Sequence, residues 1–337
     1  MIENIIVKNE KLDELIESNL YADAADFLFN SQMNNWELMR ENYAGLKNVK
    51  EKFFWFDEYK FKVQFNPERI KSTSADVSEA GLSSRRCFLC AENLPVEQKG
   101  ILLNDSYILL CNPFPIFPQH FTVSSLEHRS QSIQFSIAKL LDITKQLSKR
   151  YTLIYNGPDC GASAPDHLHF QAGTKLLMPV ENDIFQLKND CGNILLNDGQ
   201  NIVSYINDGL RTIIFIEALE LDSAVRLFEK LYRCYSAYSN AINEPMMNLL
   251  CNYDKEFGFS MIIFLRSKHR PKSYYDEDPG KIMVSPAAVD LGGIIISPRE
   301  KDYEKLNKEL IREIISEVSL DSYSFKKFAE NLKDELN

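Results

Sequence analysis

Residues 156–171 constrain this chain more than any other segment, because they join a turn-rich loop to a strand that carries two histidines and a glutamine. His167, His169 and Gln171 alternate with apolar residues, and this period of two predicts a half-buried strand with all three polar side chains on one face. The loop before it, 156–163, is rich in turn formers and suited to offering backbone N–H groups to phosphate oxygens. Two imidazoles and an amide side by side can bind a metal, attack phosphorus or hold a phosphate.

Helical and strand patterns are mixed along the whole chain, which predicts an α+β fold. Apolar residues at helical spacing predict helices over 11–49, 130–149, 222–241 and 300–318. Alternating or short apolar runs predict strands over 53–65, 101–110, 120–124, 151–155, 212–219, 247–253, 259–265 and 289–297.

The second half of the chain repeats the order of elements of the first. Residues 248–253 correspond in pattern to 152–156, but the strand after them, 260–265, has no histidine. We therefore expect a helical segment over 1–50, a catalytic half over 51–180, and a second half over 181–337 that lacks the nucleophile. Two unrelated α/β halves are the alternative that the pattern leaves open.

Charge and cysteine usage exclude several classes of protein. The net charge is −10 with acids and bases interspersed, so the chain lacks the basic face of a nucleic-acid-binding protein. The apolar runs are too short to cross a bilayer. Seven cysteines form no regular framework. Free or metal-bound thiols in a reducing cytoplasm are therefore expected.

The pair Cys87 and Cys90 is the second strong signal, because Cys-x-x-Cys presents two thiolates to one tetrahedral zinc ion. A redox pair or two buried thiols are the alternatives, and the absence of a thioredoxin-like βαβ pattern nearby weakens the redox reading.

A basic cluster follows a strand of the second half. Residues 266–272 hold five cationic or titratable side chains in seven positions, which suits a polyphosphate or sugar phosphate. Arg266 and Lys268 are the candidate ligands from this cluster. A solvated loop is the alternative.

A glycine- and serine-bearing loop followed by His-x-His-x-Gln resembles the transferase branch of the histidine-triad superfamily. That branch includes galactose-1-phosphate uridylyltransferases, diadenosine tetraphosphate phosphorylases and GDP-L-galactose phosphorylases. The sequence of 167–172 is most similar to that of the GDP-L-galactose phosphorylases. The segments 64–69, 283–293 and 299–304 also resemble these enzymes. The resemblance implies largely antiparallel sheets with packed helices, in two pseudo-repeated halves. It also allows a homodimer, because the related enzymes are often dimers.

The resemblance assigns the nucleophile to His169, which would form a nucleotidyl-histidine intermediate. Gln171 stands where the hydrolytic relatives carry a histidine; it can hold phosphoryl oxygens but does not titrate, so water gains no acid or base from it. The expected substrate-binding residues are Asn66 and Arg69 in the segment 64–69, and Asn156, Gly157, Gly161 and Ser163 in the loop.

The uridylyltransferases complete the Cys-x-x-Cys zinc site with two histidines. Carried over, these are His128 and His167, with His120 as the alternative to His128, and the site would be closed and structural. It would hold the histidine strand beside the nucleophile.

The resemblance implies a nucleotidyltransferase or phosphorylase acting on a nucleoside diphosphate sugar, with a GDP-hexose favoured and phosphate as acceptor. A dinucleoside polyphosphate phosphorylase and a hexose-1-phosphate uridylyltransferase share the covalent step and are the alternatives among enzymes. A non-catalytic, zinc-stabilised nucleotide-binding protein is the alternative from another class.

Overall fold

The computed structural model describes residues 2–70 and 79–337. Its strands are β1 Lys50–Phe56, β2 Tyr59–Phe65, β3 Gly100–Leu103, β4 Tyr107–Cys111, β5 His120–Ser125, β6 Tyr151–Asn156, β7 His169–Thr174, β8 Gly192–Asn197, β9 Asn201–Asn207, β10 Thr212–Ala218, β11 Met247–Asp254, β12 Gly258–Leu265 and β13 Ile294–Ser297. The α-helices are Glu10–Glu17, Tyr21–Asn35, Glu37–Gly45, Glu79–Ser84, Ile137–Leu147, Pro179–Cys191, Leu221–Ser239, Lys272–Tyr275, Ala288–Leu291, Glu300–Lys305, Lys308–Val318 and Ser322–Leu336.

Ten strands form one antiparallel sheet in the order β3-β4-β5-β7-β6-β11-β12-β10-β9-β8. The two halves have the same topology when the five strands of each are counted in chain order. From the centre of the sheet outward, the order in each half is fourth, fifth, third, second and first. The helices Ile137–Leu147 and Leu221–Ser239 occupy the same place in the two halves, between the third and fourth strands. This confirms the α+β fold with two pseudo-repeated halves, which meet where β6 pairs with β11.

The two faces of this sheet are covered by different elements. One face packs its alternate side chains, such as Phe170 and Ile263, against the long helices Tyr21–Asn35, Ile137–Leu147, Leu221–Ser239 and Ser322–Leu336. The other face packs over the second half against Pro179–Cys191, Lys308–Val318 and a small sheet of order β1-β2-β13. Side chains of β5 and β7 on this second face border cavities instead.

Several predicted elements are divided in the structure. The strand expected over 53–65 is the hairpin β1–β2, and the strand expected over 101–110 is the hairpin β3–β4. Asp57, Asn104 and Asp105 adopt positive φ of 53°, 52° and 53° in these turns, which short polar residues tolerate. The strand expected over 289–297 is a short helix followed by β13, and the helix expected over 300–318 is interrupted after Lys305.

Three α-helices lie within the described residues 2–50, whereas β2 pairs with β1 on one side and, on the other, with β13 from the far end of the chain. The division into 1–50, 51–180 and 181–337 stays a prediction. Among the residues that the structure describes, no helix has both the length and the apolar character needed to cross a bilayer.

Candidate active site

His169 begins β7 and has one ring nitrogen fixed by the backbone. Its Nδ1 lies 2.8 Å from the carbonyl oxygen of His167, which can only accept, so Nδ1 carries the proton. Burial lowers the pKa of His169 to about 4, which keeps the ring neutral. Gln131 holds the strand here, accepting from the His169 N–H at 2.8 Å and donating to its carbonyl at 3.0 Å. The Nε2 atom is therefore an unprotonated nitrogen in a residue that lines a cavity.

Gln171 lies two residues further along β7, and His120 of β5 fixes its orientation. The Nδ1 atom of His120 accepts from the Ile116 N–H at 3.3 Å, so Nε2 carries the proton and donates to Gln171 Oε1 at 2.9 Å. Burial lowers the pKa of His120 to about 3, so this tautomer stays neutral. The Gln171 amide NH₂ is thereby left as a donor in a residue that borders two cavities.

Cys87, Cys90, His128 and His167 converge, and their ligand atoms all lie within 4.8 Å of one another. His167 Nδ1 is 3.3 Å and 3.7 Å from the two sulfurs, and His128 Nδ1 is 3.2 Å from Cys90 Sγ. A tetrahedral zinc ion would place nitrogen and sulfur about 3.6 Å apart. The donor set therefore fits a single metal ion.

The backbone also prepares His167 to be a ligand. Its Nε2 donates to the Ser125 carbonyl at 2.8 Å, which leaves the Nδ1 lone pair directed at the thiols. His120, the alternative fourth ligand, bonds Gln171 and is not part of this cluster.

The larger of the two cavities has a volume of about 700 Å³. Apolar side chains, including Trp36, Leu38, Phe88 and Phe114, form much of its wall, and His169, Gln171, Ser163, Arg69 and Arg85 form a polar end. An apolar chamber with a few convergent polar groups is the usual form of a nucleotide-sized binding site.

A smaller cavity of about 60 Å³ adjoins the first. It shares Arg69, Ser163 and Gln171 with the larger cavity. Its other polar lining residues are Asn156 of the first half and His269, Arg270, Ser285 and Asp290 of the second.

Residues 28–174 match the family model described as a domain of unknown function (DUF4922), and residues 186–337 match the GDPGP1-like C-terminal domain. No curated protein matches the sequence. Yeast Ap4A phosphorylase Apa2 in complex with AMP is 16% identical and superimposes with a TM-score of 0.55, covering 86% of this chain and 97% of that one. Its complex with Ap4A gives 15% identity, the same TM-score, and coverage of 86% and 98%.

The chain therefore has the fold of Ap4A phosphorylase. This fold confirms what the histidine-triad resemblance of the sequence implies for the architecture. The solved relative is an enzyme whose complexes contain AMP and Ap4A.

Of the expected binding residues in the loop 156–163, three line the smaller cavity and one packs behind it. Gly161 and Ser163 line the smaller cavity, and so does Asn156, whose Oδ1 accepts from the Asn248 amide at 2.8 Å and the Ala288 N–H at 2.9 Å. Gly157 does not line either cavity. A Cβ there would come within 2.9 Å of the Met247 carbonyl, so its role is close packing against β11.

Arg69 borders both cavities, where it donates Nη1 to the Phe114 carbonyl at 2.8 Å. Burial lowers its pKa to about 10, so the guanidinium stays charged. Asn66 lines neither cavity; its buried amide donates to the Pro115 carbonyl at 3.2 Å.

The structure does not bring Arg266 or Lys268 to either cavity as a ligand. The five N–H groups of Arg266 are used by Asn248 Oδ1 and the carbonyls of residues 286, 318, 268 and 269, at 2.7–3.1 Å. Lys268 is exposed and pairs with Glu317 at 2.9 Å. Their expected contact with a phosphate is therefore not supported by the geometry, because neither ammonium nor guanidinium points to the site.

Sequence reasoning missed several residues that line the cavities. Arg85 reaches the polar end of the larger cavity, where it donates to Asp166 at 3.1 Å and stacks on Phe88 at 4.9 Å. Its Nη1 is buried without a hydrogen-bond partner among the described residues. Arg85 follows a segment with little periodicity, and Trp36 comes from the N-terminal helices, so no local motif indicates either residue.

Proposed function

We propose that the protein is a nucleotidyltransferase of the phosphorylase type that acts on a nucleoside diphosphate sugar. The observation that carries the proposal is the tautomer of His169, whose Nδ1–H is held by the His167 carbonyl. A neutral imidazole with a free Nε2 lone pair is the form that attacks phosphorus.

In the first step, His169 Nε2 forms a bond to the α-phosphorus, and the bond from that phosphorus to the bridging oxygen breaks. Hexose 1-phosphate leaves with the electron pair, and the ring becomes a phosphorylated imidazolium whose Nδ1–H still bonds the His167 carbonyl. In the second step, an oxygen of inorganic phosphate attacks the same phosphorus, and the P–N electron pair returns to Nε2. The products are the nucleoside diphosphate and neutral His169.

Gln171 and Ser163 support the displacement by donating to non-bridging phosphoryl oxygens. Because His120 accepts no proton at ordinary pH and the Gln171 amide does not titrate, neither serves as a base for water. The nucleotidyl-histidine intermediate is therefore hydrolysed slowly and reacts with phosphate instead.

A GDP-hexose is the favoured substrate, on the resemblance of 64–69, 167–172, 283–293 and 299–304 to GDP-L-galactose phosphorylases and the match of 186–337 to the GDPGP1-like domain. The fold shared with Ap4A phosphorylase keeps a dinucleoside polyphosphate as the second candidate substrate. Hexose-1-phosphate uridylyl transfer is the third candidate, and the mass-spectrometric assay described below includes a UDP-hexose to test it.

Zn²⁺ is the ion we assign to Cys87, Cys90, His128 and His167, as a closed structural site. Because the protein supplies four ligands, the ion would hold the segment that leads into β7 and would offer no open position for chemistry. A reducing compartment such as the cytoplasm suits these thiols.

Intact-mass spectrometry tests the reaction. The protein is incubated with a GDP-hexose, a UDP-hexose, an ADP-hexose or a dinucleoside tetraphosphate, each without phosphate. The expected result is a mass gain of one nucleoside monophosphate with one of them, lost in His169→Ala and kept in Lys268→Ala, the matched control at an exposed site. Nucleotide binding with no adduct from any of the four would favour the non-catalytic nucleotide-binding protein.

A further inference from the structure

We infer that the smaller cavity is an oxyanion subsite, built jointly by the two halves of the chain, that binds the phosphate group leaving or attacking the α-phosphorus. This inference rests on the function proposed above and names where its acceptor binds. Four observations support it.

The first observation is position. The smaller cavity touches the larger one through Arg69, Ser163 and Gln171, so its contents lie next to the residues that face the transferred phosphoryl group. Three further polar lining residues, His269, Arg270 and Ser285, come from the second half. Each half then contributes differently, with the nucleophile on β7 of the first and these three residues on the loops after β12 of the second.

The second observation is the supply of donors. Arg270 Nε donates to Ser285 Oγ at 3.0 Å, and its guanidinium stacks on Tyr274 at 4.2 Å. These contacts fix the plane of the group, while its two terminal NH₂ groups have no hydrogen-bond partner among the described residues. The Ser285 oxygen accepts from Arg270, which leaves its own hydrogen for an anion. A planar guanidinium with two such groups matches phosphate oxygens.

The third observation is the support beneath this lining. Arg266 is buried and donates Nη2 to the carbonyls of Lys268 and His269, both at 2.9 Å. It also donates Nη1 to the Pro286 carbonyl at 3.0 Å. One buried guanidinium therefore fixes both backbone segments from which His269, Arg270 and Ser285 project. A solvated basic loop would not need such an anchor.

The fourth observation is size. A volume of about 60 Å³ accommodates about four water molecules. This is room enough for one tetrahedral anion with four oxygens. Asp290 also lines the cavity, but its two carboxylate oxygens accept the N–H groups of Ala287 and Ile296 at 2.9 and 3.0 Å and are thus already used.

One subsite can serve both steps, because the group that leaves and the group that attacks are both phosphates. The phosphate of hexose 1-phosphate occupies it when its bond to the α-phosphorus breaks. Inorganic phosphate then binds in its place, forms the new P–O bond, and releases His169 Nε2 with its electron pair.

Calorimetric titration with inorganic phosphate, in the absence of nucleotide, tests the subsite directly. We compare the full-length protein with Arg270→Gln, Ser285→Ala and the matched control Arg226→Gln, which changes an exposed arginine on Leu221–Ser239. The expected result is phosphate binding at least about tenfold weaker in Arg270→Gln, weaker in Ser285→Ala, and unchanged in Arg226→Gln. Thermal unfolding checks that each variant is folded, and Arg270→Lys replaces Arg270→Gln if the latter unfolds.

Equal phosphate affinity in all these proteins, or no phosphate binding by the unaltered protein, would overturn the subsite. This readout does not depend on the reaction. An absent adduct on His169 together with phosphate binding that is sensitive to Arg270 would reject the proposed function and keep the anion site. Where the adduct forms, phosphate removes the nucleotidyl group from His169. Arg270→Gln is expected to raise the phosphate concentration that gives half the maximal rate of this step by the same factor as it weakens phosphate binding. An unchanged concentration would again count against the subsite.

Discussion

The Nδ1 atom of His169 lies 2.8 Å from the carbonyl oxygen of His167, and the ring of His167 belongs to the metal-ligand cluster. The residue that would bind the ion therefore also supplies the acceptor that selects the tautomer of the candidate nucleophile. His167 therefore takes part in both metal binding, through its ring, and orientation of the nucleophile, through its carbonyl.

Removal of the ion should thus affect chemistry as well as stability. We expect Cys87→Ser to lose the bound metal, to lower the melting temperature by roughly 10 °C, and to slow adduct formation on His169. Metal analysis, calorimetry and intact-mass kinetics measure the three effects. Cys234→Ser, at a half-buried cysteine outside the cluster, is the control and should leave all three unchanged. Full adduct formation by metal-free protein would show that the two functions are separate.

Gln171→His should divert the intermediate to water. A histidine at this position can pass a proton, whereas the glutamine amide cannot. We expect hydrolysis of the nucleotidyl adduct without phosphate to accelerate at least about tenfold. Decay of the adduct, followed by mass spectrometry, measures the rate, and Gln171→Ala controls for loss of the amide. Equal decay in all three proteins would mean that this residue does not govern access of water.

His120 should act only through Gln171. We expect His120→Phe, which keeps a ring against Phe117, to lower kcat about tenfold with little change in KM, because the Gln171 amide is no longer held in one orientation. In a Gln171→Ala background the same change should have almost no further effect. Steady-state kinetics of the four proteins forms the double-mutant cycle, and additive losses would refute the coupling.

Gly161→Ala separates backbone strain from crowding in the loop. Gly161 has a φ of 94°, and a Cβ there would lie 2.7 Å from the Ala287 Cβ. Gly209 has a φ of 77° with nothing within 4 Å, so Gly209→Ala measures the backbone cost alone. We expect Gly161→Ala to lower the free energy of unfolding by about 1–2 kcal/mol more than Gly209→Ala, and to weaken nucleotide binding. Equal losses in denaturant melts would exclude the close contact.

Glu244 predicts a pH dependence of stability. Burial raises the pKa of its carboxyl from 4.5 to about 7, while the carboxyl accepts from the Tyr155 hydroxyl and the Ile133 N–H, both at 2.6 Å. The folded state therefore holds this proton to a higher pH than the unfolded state, and the free energy of unfolding falls as pH rises from about 4.5 to 7. Urea unfolding should show a flatter profile for Glu244→Gln, with a difference of up to about 3 kcal/mol. If the free energy of unfolding depended on pH in the same way in both proteins, the assignment to Glu244 would be wrong.

The histidine strand was the part of the site that local sequence could indicate. The alternation through Leu168 and Phe170 correctly predicts that His169 and Gln171 share a face, because the pleat alone decides this. His167, expected on the same strand face, instead lies before β7, which begins at His169, and its ring joins the cysteine cluster. Position in the sequence could not show that Arg266 points into the protein while Arg270, four residues later, borders a cavity. That difference depends on carbonyls contributed by residues 286 and 318, far along the chain.

The divided elements have a similar explanation. Apolar alternation runs through the turns at Asp57 and at Asn104–Asp105, so periodicity alone joins two strands into one, and only the tolerance of these residues for positive φ indicates the break. Pairing between distant strands, such as β2 with β13, has no local signature at all.

The pairing of β6 with β11 has a consequence for assembly. Two similar modules meet there edge to edge, as the subunits of a symmetric dimer would, but a single polypeptide tethers them. Their association is unimolecular, so dilution does not separate them. Tethering also removes the requirement that both modules present identical surfaces, which leaves each free to specialise.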